Sequence, residues 1–354
     1  KRKGNLMDLL TKNTRLKKIF DELFIDDDPV VFTTRLRIAR NLENYVFPHC
    51  ITKKDAGYLV DEVLMALRGF QGTFFVVPMA EIDNLTREFF VERHIISPEF
   101  AEDDPSKVLI LFPEKGIRIL VNEEDHLRIS ICGKKKNLEK MWNILNIFDD
   151  NLSRKLNYAF DDGFGYLTSC PTNLGSALRA SALLFMPALK MAREIKKIFD
   201  TTLKPGYLLR GFYGEGSQSM GNLYQVATGP ALGKKEQDIY KDVISIIEVL
   251  KQHEFATMEK INIRYIKTGI KNFLDKVYNS NSGIDSQKAI KGISLLLFGK
   301  NLGIIKVEGK LLKMLIYRVL PASIQIEAGS ILEPEERDLF RAQVLRQELR
   351  GAYV

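Results

Sequence analysis

Cysteine is scarce in this chain: Cys50, Cys132 and Cys170 are the only three in 354 residues, and no two form a Cys-x-x-Cys pair. An odd, widely spaced set supports neither a disulfide framework nor a zinc knuckle, and it fits a reducing cytoplasm. Long apolar runs are missing too. The stretch from Leu6 to Phe24 is broken by Asp8, Lys12, Arg15, Lys17 and Lys18, which excludes a signal-peptide core or a membrane span and predicts a surface amphipathic helix. Gly-x-x-x-x-Gly-Lys-Ser/Thr does not occur, because Gly229 to Lys234 has the wrong spacing, and neither does His-Arg-Asp or His-Glu-x-x-His. The common nucleotide and zinc-hydrolase signatures therefore supply no activity here. There is no internal repeat, no low-complexity tract and no aromatic array of the kind that binds single strands, so neither a membrane nor direct nucleic-acid binding is expected.

What is present is a hydrophobic content of 45% and a net charge of +7 with a sequence pI of about 9.0. That composition builds a large core, the length suggests roughly two domains, and the positive balance suits phosphate-bearing or acidic partners. From Val30 to Ile131 the pattern is mostly strand-like, clearest at Val30–Ala39, Phe74–Val77, Val108–Phe112 and Ile117–Val121, with a helix at about Ala56–Leu67. The short link Pro113 to Gly116 implies antiparallel pairing. A helix is predicted at Leu138–Leu156, another at Leu174–Phe185, and a strand at Tyr207–Phe212. Beyond Gly229-Pro230 the pattern turns helical, with Ile239, Val243, Ile246 and Leu250 on one stripe. Asn279 to Gly283 reads as a linker. A last helix starts at Pro334, with Glu335 and Glu336 in its first turn and Leu339, Ala342, Leu345 and Leu349 on one face.

Charged residues recur in patterns that point to anion binding. In Thr33-Thr34-Arg35-Leu36-Arg37-Ile38-Ala39-Arg40, strand alternation sends Arg35 and Arg37 off one face while Leu36 and Ile38 enter the core. Asn122-Glu123-Glu124-Asp125-His126-Leu127-Arg128 sets three acids beside a histidine and an arginine, an arrangement that repels itself unless a cation such as a guanidinium or magnesium joins it. Alternation of Leu127, Ile129 and Ile131 turns Arg128 to the polar face. Arg179 is predicted in the first turn of a helix and Arg210 at the end of a strand before Gly211, positions suited to a polyphosphate. Gly211-Phe212-Tyr213-Gly214-Glu215-Gly216 reads either as a lid loop carrying one acid or as a hairpin turn with an incidental glutamate. Cys170, ahead of a predicted helix start, gains thiolate character there if it is exposed, and is otherwise an inert buried thiol. His94 reads either as a surface histidine or as a base or phosphate contact.

Taken in order and spacing over about residues 30 to 225, these segments resemble the guanidino-phosphagen kinase superfamily. The likeness is strongest to its bacterial protein-arginine kinase branch of the McsB type. The resemblance implies an α+β fold, an antiparallel sheet flanked by helices, spanning 1–255 as a catalytic domain and followed by a smaller all-helical domain over 256–354. It implies ATP with Mg²⁺, the phosphates held by Arg35, Arg37, Arg128, Arg179 and Arg210, with Thr33, Thr34, Leu36, His94, Ala180, Ser181, Ala182, Leu183, Gly211, Phe212, Tyr213 and Gly214 completing the nucleotide site; protein side chains are not expected to hold the metal alone. Glu124 and Glu215 are the implied catalytic acids, Glu123 and Asp125 support them, and Cys170 touches the guanidino group. Arg337-Asp338-Leu339-Phe340-Arg341-Ala342 is similar to the branch's phosphoarginine-binding motif, Arg337 and Arg341 sharing a helix face to grip a phosphate while Asp338 pairs with the guanidino group. The implied activity is phosphorylation of arginine side chains in proteins during stress response and protein quality control. A zinc-binding adaptor, the Clp protease system and a homodimer are implied partners. A small-guanidino kinase and a non-catalytic phosphoarginine-binding protein are the alternatives. Two departures stand out: Thr33-Thr34 replaces a serine pair, and Ala227-Thr228-Gly229-Pro230 differs from the usual continuation of the lid.

Overall fold

The computed structural model describes residues 25–202, 206–212, 219–279 and 282–352. The predicted helix at 6–24, Ser280 and Asn281 of the predicted linker, and Tyr213, Gly214 and Glu215 lie outside them. The described chain runs β1 (Val31–Arg40), α1 (Lys53–Leu67), β2 (Phe75–Pro78), α2 (Asn84–Glu92), β3 (Val108–Phe112), β4 (Ile117–Val121), β5 (Leu127–Gly133) and α3 (Leu138–Ser153). A two-stranded ribbon, β6 (Phe160–Asp161) and β7 (Gly165–Tyr166), precedes β8 (Leu178–Phe185), α4 (Pro187–Ala192), α5 (Ile195–Thr202), β9 (Leu208–Arg210) and β10 (Leu223–Ala227). Helices follow: α6 (Glu236–Met258), α7 (Ile263–Asn279), α8 (Ser286–Asn301), α9 (Gly309–Arg318), α10 (Pro321–Ala328) and α11 (Pro334–Glu348).

Eight strands form one sheet in the order β2-β3-β4-β5-β1-β8-β10-β9, and every pairing in it is antiparallel. The β3–β4 link closes tightly because Gly116 adopts φ 66°, a left-handed backbone that glycine accepts without strain. One face of the sheet packs Leu36, Ile38, Ile129, Ile131, Ala180 and Ala182 against Leu59 and Val63 of α1, Met141 and Leu145 of α3, and Val243 and Ile247 of α6. Among the described residues, apolar packing covers the opposite face at its two ends. At one end Val77, Leu109, Leu111 and Leu120 meet Phe89 and Phe90 of α2. At the other, Phe32, Leu183 and Phe185 join the core of α7 to α11. The middle of that face is polar, as strand alternation requires.

Helix starts follow capping chemistry. Thr52 accepts the Asp55 amide at 3.1 Å, Asp83 the Thr86 amide at 2.8 Å and Asp285 the Lys288 amide at 2.8 Å. Glu333 and Glu336 form a capping box ahead of Pro334. Two expectations fail. Residues 178–185 are the strand β8 rather than part of a helix: after the turn at Pro171–Asn173 the segment pairs with β1 on one side and β10 on the other, and every residue of it but Arg179 is buried. Two ladders of backbone partners outweigh the helix preference of Ala and Leu. Leu339 is half exposed, so the buried stripe of α11 consists of Ala342, Leu345 and Leu349. Among the described residues no helix is long and apolar enough to cross a membrane.

Candidate functional site

A cleft of about 880 Å³ opens over the polar middle of the sheet. Five strands furnish its floor with arginines: Arg35 and Arg37 from β1, Arg118 from β4, Arg128 from β5, Arg179 from β8 and Arg210 from β9. Register explains the convergence. Arg37 lies opposite Ser130 on one side and Arg179 on the other, Ala39 opposite Arg128, and Arg210 opposite Gln225. Arg179 therefore owes its place to a β ladder and not to a helix terminus. All five arginines singled out from the sequence line this one cleft. Arg118 was missed, although its place between Ile117 and Ile119 carries the same alternation signal as Arg128.

The cations strain against one another. Burial pulls the Arg35 guanidinium down to about 10 against the pull of Cys132, with Arg118 and Arg128 adding repulsion. Arg37 is likewise pulled well below its ordinary value by burial, with Arg128, Arg35 and Arg179 adding repulsion. Arg179 is lowered by burial, Arg210 and Arg128. All remain charged at neutral pH, so the array is a site whose electrostatic strain a multiply charged anion relieves.

Of the three consecutive acids, two face the cleft. Glu123 is ion-paired with Arg128 and accepts the Ser97 hydroxyl at 2.5 Å. Burial raises its carboxyl, but Arg128, Ser97 and Arg37 together hold it below the usual range. Glu124 is 42% exposed and lies 3.8 Å from Arg128 Nη2, leaving its carboxylate open to the cleft. Asp125 is turned away and fully buried, accepting Asn41 Nδ2 and the Ser169 amide, each at 2.8 Å. His126 is buried as well. Its Nδ1 accepts the Leu42 amide at 3.0 Å, so Nε2 carries the proton toward the Val46 carbonyl. Asp125 and His126 thus brace the turn and do not reach the cleft. Cys170 lines the cleft at the head of the Pro171–Asn173 turn, its Sγ 3.0 Å from Thr172 Oγ1.

His94 lines the cleft with φ 52°, placed by the turn that ends α2. Burial depresses its imidazole to about 3, with Arg35 and Arg118 adding to the effect, so it is neutral. Arg118 donates to the His94 carbonyl at 2.5 Å and contacts Cys132 Sγ. Thr33, Ser181, Ala182, Leu183 and Phe212 line the cleft as expected. Thr34, Leu36 and Ala180 are fully buried and, with Gly211, are not among the lining residues. Strand alternation puts the first three on the core face. Arg93, Ser97 and Tyr317 line it without having been singled out.

The motif on α11 is arranged differently from a pair of free arginines. Arg341 is buried, with Nε donating to the Val319 carbonyl at 2.7 Å and Nη1 to the Ile284 carbonyl at 2.8 Å and to Asp338 Oδ1 at 2.5 Å. Arg337 is only partly buried. Arg341 therefore organises the motif from below, and Arg337 and Asp338 form its accessible part.

Residues 56–257 match the ATP:guanido phosphotransferase C-terminal catalytic domain, and residues 277–353 match the protein-arginine kinase McsB C-terminal domain. Over 335 residues the chain is 36% identical to a protein-arginine kinase of Geobacillus sp. (strain WCH70), covering 92% of this chain and 91% of that one. It is 34% identical over 335 residues to one of Clostridium tetani, covering 93% and 97%. Among solved structures, a duplicated taurocyamine kinase from Schistosoma mansoni with bound transition-state-analogue components superposes with a TM-score of 0.56 and 27% identity, covering 66% of this chain and 35% of that one. A lombricine kinase gives 0.58 and 20%, covering 69% and 72%, and shares the fold.

Proposed function

The chain belongs to the protein-arginine kinase family of ATP:guanido phosphotransferases, and from that membership we propose that it transfers the γ-phosphoryl group of ATP to the guanidino group of arginine side chains in proteins. One observation carries the reading: five arginines from four strands converge on a single cleft that the adjacent carboxylates Glu123 and Glu124 border. A triphosphate is the ligand whose charge such an array neutralises, both at rest and as negative charge spreads over the transferring group.

In this reading Arg35, Arg37, Arg128, Arg179 and Arg210 hold the phosphates, and His94, as a neutral ring, contacts the nucleotide. The acceptor guanidinium, with a pKa above about 12, is a poor nucleophile until carboxylates orient it and take a proton. Glu124 is assigned that work together with Glu215, while Glu123 fixes Arg128 and Cys170 contacts the guanidino group. A guanidino nitrogen attacks the γ-phosphorus, the bond to the ADP oxygen breaks, and the proton passes to a carboxylate. Mg²⁺ is proposed, from the family resemblance, to arrive on the nucleotide phosphates, where it would add charge neutralisation.

The division into 1–255 and 256–354, the phosphoarginine-binding role of Arg337, Asp338 and Arg341, and a cytoplasmic place in stress response and protein quality control rest on the sequence resemblance. So do a zinc-binding adaptor, the Clp system and a homodimer. The deciding experiment supplies ATP with a protein substrate and, separately, with free arginine, and follows acid-labile phosphate. Transfer to protein supports the proposal. Transfer to free arginine alone makes it a small-guanidino kinase, and no transfer leaves a binding protein. Glu215→Ala is expected to abolish transfer and spare most ATP binding.

A further inference from the structure

Tyr317 stands near the end of α9, within the helices that follow the sheet, yet it lines the cleft beside His94 and Phe212. Its ring centroid is 6.0 Å from His94 at 89° and 5.9 Å from Phe212 at 38°, and His94 and Phe212 are 4.5 Å apart at 68°. The Arg93 guanidinium lies 5.9 Å from the Tyr317 ring centre. Three rings and a guanidinium thus gather where the arginine floor meets the C-terminal helices. A planar heteroaromatic base joined to a polyphosphate matches that pairing of an aromatic wall with a cationic floor.

We propose that Tyr317 is a base-contacting residue of the nucleotide site, and that Glu92 is a positioning residue that holds it there; this rests on reading the cleft as an ATP site. Glu92 ends α2, two residues before His94. Its buried carboxylate accepts the Ala322 amide, the Ser323 amide and the Ser323 hydroxyl, each at 2.7 Å, at the N-terminus of α10. A carboxylate at that end is favoured by the unpaired amides and the helix dipole. Because α10 follows α9 after only two residues, the contact ties the segment carrying His94 to the helix carrying Tyr317. The middle of α9 is held independently, one turn before Tyr317: Lys313 Nζ donates to the Asp26, Asp28 and Val31 carbonyls at 2.8, 2.6 and 2.7 Å. Arg341 holds the Val319 carbonyl two residues past Tyr317. With contacts on both sides of it along the chain, the Tyr317 ring has a defined place in the cleft wall.

The test compares ATP with inorganic tripolyphosphate, which has the charge and no base, on the full chain by calorimetry, together with KM and kcat for ATP. Tyr317→Ala is expected to weaken ATP roughly tenfold, in line with one lost base–ring contact, while tripolyphosphate binding and kcat at saturating ATP change little. Tyr317→Phe should restore ATP affinity. Glu92→Gln should weaken ATP by about threefold, again without touching tripolyphosphate, as expected for a lost hydrogen-bond anchor. Should Tyr317→Ala fail to fold, Tyr317→Leu keeps most of the volume without the ring and carries the same comparison. Equal weakening of ATP and tripolyphosphate, or a lowered melting temperature with ATP affinity intact, would overturn the inference alone, since the ring would then only fill the core. No ATP binding by the unaltered protein would overturn the function proposed above and this inference with it.

Discussion

Arg37 of β1 and Arg179 of β8 stand directly opposite one another across an antiparallel ladder. Like charges in that relation destabilise a sheet, by up to about 1 kcal/mol per pair. Arg179→Gln is therefore predicted to raise the melting temperature of the ligand-free protein by roughly 1–3 °C while cutting phosphoryl transfer at least about 100-fold through loss of transition-state charge stabilisation. Thermal scans with and without ATP check the first part and steady-state assays the second. A lower melting temperature without ligand would mean that the pair is relieved by groups inside the protein.

Glu123 and Glu124 are neighbours in sequence with different surroundings. Glu124→Gln is predicted to lower kcat by roughly 10²–10⁴ and leave ATP affinity within a few-fold, as befits a group that handles the acceptor proton. Glu123→Gln removes half of the pairing that fixes Arg128 and is predicted to act mainly on KM for ATP. Kinetics of both variants under saturating protein substrate decide the matter, and the assignment is wrong if the two profiles are exchanged.

His94 is neutral in the fold down to about pH 3, whereas an unfolded histidine takes up a proton near its ordinary value of 6.5. Between those limits the unfolded chain binds more protons, so stability is complete above about pH 6.5 and falls as the solution is acidified toward 3. His94→Asn suits the left-handed backbone at this position. It is predicted to flatten the dependence of denaturation midpoint on pH between 7 and 5, and an unchanged slope would show that other groups set the acid sensitivity.

Arg40, at the end of β1, is buried in an ion pair with Asp149, whose other oxygen accepts the Tyr158 hydroxyl at 3.1 Å, and its guanidinium stacks 3.5 Å from the Tyr166 ring centre. Asp149→Ala strands a buried cation and is predicted to destabilise the protein by about 3–5 kcal/mol. Urea titration measures it directly. A loss below about 1 kcal/mol would mean that Tyr158 and Tyr166 suffice to shelter Arg40.

Much of the sheet side of the site was legible from period-two alternation, because a strand covered on one face leaves its signature in every second residue. Arg35, Arg37 and Arg128 were placed by that rule, and Arg118 obeys it equally. The rule failed at residues 178–185, where small apolar residues permit either a helix or a strand and only the flanking ladders decide. Alternation also separates Thr34, Leu36 and Ala180 from the cleft, a distinction that motif resemblance alone blurs. Asp125 and His126 looked like members of a charged cluster, yet their partners Asn41, Ser169 and Leu42 come from distant segments that no local pattern reveals. Tyr317 was invisible for the same reason.

The central strand gains its neighbours late. Arg37 must wait for Ser130 and then for Arg179 before either edge of its strand is closed. Such distant pairings slow folding, because loops of that size have to close before any contact rewards them. On a ribosome the strand would emerge before its partners and stay unpaired while roughly ninety further residues were made, an exposed edge of the kind that invites misassembly.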